Sequence, residues 1–220
     1  MISRKSFASL GLMAVLFLLP QQGLAANEAA AHGVIAHATF VHGDVSLERE
    51  GHEPVSIALG DALYEGDTLR TDQGEYVELE FIDNTHIELT GMNGSLTLNE
   101  YVFDPENPAE NKAHYSVLKG SFKYISGLLS HHDAEKSNIT IDLDFGSIGI
   151  RGTTVYRAMS DGECWIFLED GLIDVSNDGG SVSLQPGDGT RIHDLAVAPV
   201  DAAPWGQKRI DWIKGEMTKP

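Results

Sequence analysis

One cysteine in 220 residues leaves no internal disulfide and no cysteine-based zinc site. Cations are also scarce: 15 Lys and Arg stand against 33 Asp and Glu, a formal charge of −18. A nucleic-acid binder, or a protein held on anionic lipid, needs the opposite balance because it has to neutralise phosphate. Only 8 prolines accompany 23 glycines, so the chain turns often without being low-complexity. Helical periodicity is nearly missing, and no apolar run reaches the roughly 20 residues of a membrane-spanning helix. The length suits one domain, or two small ones, able to bury a core.

The most apolar run, Leu10 to Leu19, follows Arg4 and Lys5 and is closed by Pro20, Gln21 and Gln22. Gly23-Leu24-Ala25-Ala26 then supplies small residues, which completes the pattern of a secretory signal peptide over residues 1–25. Cleavage after Ala25 leaves 195 residues and takes the charge to −20. No cysteine lies near the cleavage position, so no lipid anchor is indicated. The expectation is a periplasmic or secreted protein of a Gram-negative bacterium, without stable membrane insertion.

The period along the rest of the chain is two. Val77, Leu79 and Phe81 alternate with Tyr76, Glu78 and Glu80, and Ile87 and Leu89 alternate with His86, Glu88 and Thr90. Ser95 to Asn99 repeats the pattern, and Ile139, Ile141, Leu143 and Phe145 alternate with Thr140, Asp142 and Asp144. Cys164 to Leu168 is apolar without a break, as in a strand covered on both faces, and Gly171 is read as its end. Many short strands spaced by Gly, Asp and Asn predict an all-β protein, with helix confined to a turn or two around Leu128–Lys136 and to the tail from Pro204. In that tail Ile210, Ile213 and Met217 share one helical face. Residues 104–114, with two prolines and no apolar pattern, read as an exposed loop.

Gly60-Asp61, Gly66-Asp67 and Gly187-Asp188 each precede a strand, a weak internal echo that favours strands wound in layers. Together with Thr71, Gly149-Ile-Arg151-Gly152-Thr153, Glu169-Asp-Gly171 and Pro186-Gly187, this succession resembles the FecR domain. The resemblance covers roughly Gly43 to Ile192, and the order of the motifs is more specific than any one of them. It implies an all-β domain, a twisted β-solenoid-like roll, acting as an interaction module and not as a catalyst. In transmembrane members of the family the domain lies outside the inner membrane and controls a sigma factor through a cytoplasmic segment. Here a signal peptide stands in that place, and 28 residues follow Ile192, so the domain is expected to be exported alone. The organisation is then a signal peptide (1–25), a lead-in (26–42), the FecR-like domain (43–195) and a tail with a short helix (196–220).

Several side chains carry two readings. Arg151 either presents a guanidinium for an anion or pairs with an acid and pins its turn, and pairing is preferred because buried arginines are usually paired. His131-His132-Asp133, and His32, His37 and His42 at five-residue spacing, invite a metal, but adjacent strand residues point to opposite faces and solvated loop histidines explain them. The acids, including Asp142 and Asp144, match no calcium loop and are read as a solvated outer face. Cys164 is read as a buried, inert thiol. Phe145-Gly-Ser-Ile-Gly149 has the wrong register for a nucleophile elbow, so no enzyme is expected, and no cofactor or metal. Trp205 and Trp212, among Lys208, Arg209, Lys214 and Lys219, form either a docking segment or a helix folded back on the acidic sheet. The resulting expectation is a non-enzymatic module that binds a protein or an envelope glycan. The alternative is a sensor component of an iron- or metal-uptake circuit that acts through another membrane protein.

Overall fold

The computed structural model describes residues 33–131 and 138–220. The signal-peptide reading, His32 and the His132-Asp133 part of the histidine cluster lie outside these residues. The strands are β1 (Ala36–His42), β2 (Ser46–Glu48), β3 (Val55–Ser56), β4 (Ala62–Leu63), β5 (Thr68–Thr71), β6 (Tyr76–Phe81), β7 (His86–Val102), β8 (Lys112–Ile125), β9 (Ile139–Leu143) and β10 (Gly146–Ser160). They continue as β11 (Glu163–Asn177), β12 (Gly180–Leu184), β13 (Asp188–Ile192) and β14 (Ala203–Pro204), and the chain ends in helix α1 (Gln207–Gly215). All the strands belong to one open sheet, so the fold is all-β with one short C-terminal helix.

Four long strands organise this sheet, and each divides its length between different neighbours. The first half of β7 pairs with β6 and its second half with β5. The first half of β8 pairs in parallel with β9, while its end pairs with β10. On β11, Cys164 to Phe167 pair with β13, and Ile173 to Asn177 pair with β12. Glycine permits the bends. Gly120 in β8 has φ +86°, and an added β-carbon would lie 2.6 Å from Thr90 O and 2.8 Å from the Gly94 Cα of β7. Gly171 in β11 has φ +87° and packs on the backbone of Gly152 in β10, so a β-carbon there would overlap the Gly152 carbonyl. Gly171 therefore bends a strand that continues past it: the left-handed backbone sits at a register shift, with Asp170 paired to Thr154 and Leu172 to Arg151 on either side.

The alternating residues converge in one apolar core. Val77, Leu79, Ile87, Leu89, Ile139 and Ile141 are all buried in it, as the period of two requires. Two outward assignments are corrected: Tyr76 is fully buried and Glu88 is 5% exposed, because the C-terminal tail covers the face they occupy. Within the lead-in, β1 pairs with β6 and β4. Residues 104–110 form the exposed loop with a short 3₁₀ turn at Pro108–Glu110, buried Asn111 closes it by accepting the Asp104 amide at 2.6 Å, and β8 begins at Lys112.

Arg157 in β10 is fully buried, a position that no sequence pattern marked. Its guanidinium donates to Asp144 Oδ1 at 2.7 Å and to the carbonyl of Gly120, and Nε lies 3.4 Å from Cys164 Sγ. Burial pushes the Asp144 carboxyl above its ordinary value against the opposing pull of Arg157. Burial likewise pushes the Cys164 thiol up, which keeps it protonated and inert.

Candidate functional site

The residues of the FecR-type pattern build turns and bends. The three Gly-Asp turns share one device, in which the aspartate accepts the amide three residues before it: Ala58 N to Asp61 at 2.8 Å, Tyr64 N to Asp67 at 2.9 Å, and Gln185 N to Asp188 at 3.1 Å. Gly60, Gly66 and Gly187 supply positive φ in these turns. Asp67 is fully buried and takes both Arg49 Nε and Nη2 at 2.7 Å, a bidentate pair. Thr71 Oγ1 donates to Gly91 O at 3.0 Å and so ties β5 to the bend of β7.

Gly149 pairs with Thr140 of β9 and Asp174 of β11. Beside it Arg151 Nη2 binds Asp174 Oδ2 at 2.5 Å, while Arg151 Nε is buried without a partner. Thr153 N donates to Ser126 Oγ at 2.8 Å, next to Gly152.

Two polar grooves lie elsewhere. One, of about 570 Å³, contains His114 Nε2 2.7 Å from Asp142 Oδ2. Ser116, two residues along β8, accepts the Asn99 amide at 2.6 Å. The other groove, of about 600 Å³, surrounds Arg70, which is paired with Glu48 at 2.6 Å. Among the described residues no group of three or more His, Cys, Asp or Glu could hold a metal. His37 and His42 sit exposed on β1.

The aromatic side chains converge on the opposite face of β11. In Cys164-Trp-Ile-Phe-Leu168 the odd members Cys164, Ile166 and Leu168 enter the main core, while Trp165 and Phe167 point the other way. This second face is covered by the tail, which accounts for a run with no polar residue. Trp205 is 8% exposed, stacks on Phe167 at 5.5 Å and meets Trp165 edge-on at 5.8 Å. Gly189 in β13 leaves the space that Trp205 fills. Trp212 lies edge-on to Trp165 at 6.0 Å, and Ile213 and Met217 are buried against Tyr76 and Tyr156.

Ion pairs frame the tail. Lys214 binds Glu169, which also accepts the Tyr156 hydroxyl at 2.7 Å, and Lys219 binds Glu78. Burial raises the Glu169 carboxyl, but its hydrogen bonds from Lys214 and Tyr156 prevail and hold it below the ordinary value. The buried Glu88 accepts from Tyr76 and, at 3.0 Å, from Lys123.

Where β13, the segment around Val200 and the start of α1 meet, a cleft of about 190 Å³ opens, walled by Trp165, Thr190, Arg191, Asp201, Trp205 and Arg209. The tail tryptophans were marked by the sequence. The second half of the cleft, Trp165 and Arg191, was not, because only the pairing of β11 with β13 brings them together.

No protein-family model and no curated protein matches the chain. Solved structures do. A crystal structure of a "putative anti-sigma factor" from Parabacteroides distasonis matches with a TM-score of 0.50 at 12% identity, covering 67% of this chain and 64% of that one. A second crystal structure of the same description gives 0.49 at 12% identity, covering 67% of this chain and 65% of that one. At this identity the likeness is one of fold. The chain is all-β, it is similar in fold to that structure over the matched part, and the match spans less than two thirds of that protein's own length. Among the described residues no helix is long and apolar enough to cross a membrane.

Proposed function

We propose that this chain is an exported, non-enzymatic FecR-like interaction module that binds a protein or an envelope glycan in scaffolding or envelope sensing. The observation that carries this reading is that the motif residues are engaged in the fold. Asp61, Asp67 and Asp188 close turns, Arg151 pairs with Asp174, and Gly152 and Gly171 form a bend. The fold shared with a structure described as an anti-sigma factor supports a regulatory or sensing role. The arginine-walled cleft at the edge of the tail is the surface we assign to binding.

The test is affinity capture from a periplasmic extract with the purified protein, followed by identification and binding of each captured species in purified form. A defined envelope protein or glycan that binds directly is the expected result. Retention no greater than that of an unrelated protein of equal charge would sink the reading.

The anti-sigma description of the structural neighbour also favours a second reading, a sensor component of an iron- or metal-uptake circuit working through a membrane protein. Capture of a membrane-bound sigma-factor regulator, or of an outer-membrane receptor, would select it over scaffolding.

A further inference from the structure

The lining of the small cleft departs from the acidic balance of the chain. On a chain of formal charge −18, its wall holds Arg191 and Arg209 against a single acid, Asp201. Both guanidiniums lie over Trp165, 5.4 and 5.2 Å from the ring centroid, and Arg209 is also 5.2 Å from the centroid of Trp205. Stacking fixes a guanidinium plane while leaving its N–H edges available, so much of the ordering cost is met before a ligand arrives. Those edges have little internal use. Arg191 has Glu163 at 3.4 Å, but Glu163 is shared with His193 at 2.6 Å. Arg209 has no ion pair among the described residues, although Lys214 and Lys219 on the same tail each have one.

The geometry selects the ligand's chemistry. The indole faces already carry guanidiniums, so a neutral sugar finds no free ring to stack on. What the cleft offers is N–H forks, which match a planar carboxylate in bidentate fashion. Asp201 works against a phosphate monoester, which carries about −1.5 to −2 charges, more than against a monoanion. A volume of about 190 Å³ admits one end group and not a chain.

We propose that this cleft binds the carboxylate of an acidic ligand, from a uronic-acid sugar or an acidic amino-acid residue, with Arg209 and Arg191 as its two donors. The assignment rests on reading the chain as an interaction module and names the chemistry that its binding surface recognises.

All three tryptophans of the chain lie in this cluster, so selectively excited tryptophan fluorescence reports on it. The probes are glucuronate, N-acetylglutamate α-amide, glucose and inorganic phosphate, titrated into the full protein, with indole N–H resonances followed by NMR in parallel. A saturable response to glucuronate, to the blocked glutamate or to both supports the proposal, and the arm that responds identifies the source of the carboxylate. Arg209→Gln is expected to weaken the response about tenfold and Arg209→Lys less, because lysine keeps the charge and loses the fork. Arg191→Gln, read by NMR, provides a second variant on a different strand. The absence of a saturable response overturns the proposal, as do equal affinity for phosphate or glucose and unchanged binding in both glutamine variants. If the carboxylates fail while a captured envelope partner still binds, the cleft assignment falls and the interaction module stands. If carboxylates bind and no partner is captured, the reverse holds.

Discussion

Gly171 rests on the peptide of Gly152 with no room for a side chain between β11 and β10. Gly171→Ala therefore meets two penalties, a left-handed backbone and a steric overlap with a neighbouring strand. Gly66, at φ +88° with open space around it, meets only the first. Gly66→Ala is expected to cost about 1–2 kcal/mol and Gly171→Ala about 3 kcal/mol or more. Urea unfolding of the two variants checks this, and equal midpoints would show that the contact carries no weight.

Arg157 is a buried cation whose partners are Asp144 and the Gly120 carbonyl at the bend of β8. Arg157→Leu removes the guanidinium from both and is expected to lower stability by about 3–5 kcal/mol. Adding Asp144→Asn to that variant removes the stranded charge and is expected to recover part of the loss. A double variant as unstable as the sum of the two single variants would contradict a coupled pair.

The tail is expected to contribute to stability. Trp205, Ile213 and Met217 are nearly or fully buried, and each large apolar side chain withdrawn from water is worth about 1.5–3 kcal/mol. Deleting residues 204–220 is expected to lower Tm by about 10 °C or more and to shift Trp165 emission to longer wavelength. An unchanged Tm would mean that the helix is a free docking segment.

Attachment of the tail also depends on pH. The Glu169 carboxyl is held below its ordinary 4.5 in the folded protein, so the folded state releases this proton more readily than the unfolded chain does. The stabilisation is therefore present above 4.5 and is lost as pH falls through the lower folded value. Tryptophan emission followed through that range is expected to show an acidic step that Lys214→Gln reduces. Superimposable titrations would remove Lys214 from the account.

Cys164, buried and with its thiol pushed upward by desolvation, is expected to resist alkylation in the native state and to react once urea unfolds the domain. Mass spectrometry across a urea series gives the midpoint. Full labelling without denaturant would place the thiol at the surface.

The strands were legible because burial on one face writes itself into the sequence every second residue, as at Val77, Leu79 and Phe81. The turns were legible because Gly followed by Asp has a local mechanism. Tyr76 and Glu88 were misplaced for a physical reason: the tail that covers them lies more than a hundred residues further along, and nothing local to β6 or β7 records it. The same reason hides Arg157, whose carboxylate and carbonyl partners come from two other segments, and the pairing of Trp165 with Arg191. Periodicity reports that a face is covered. It does not report by what.

Tyr76 Oη lies 3.4 Å from the carbonyl of Met217, a contact spanning 141 positions, and the Lys219 ammonium sits 5.3 Å over the Phe40 ring. A chain emerging N-terminus first makes β1 and β6 early and then has to wait for residues 205–219 before this seam can close. During that interval Phe40, Tyr76, Tyr156, Trp165 and Phe167 form an uncovered aromatic face. The order of synthesis thus builds a delay into folding, and a holding chaperone would find its client surface on the side that the finished protein keeps for its tail.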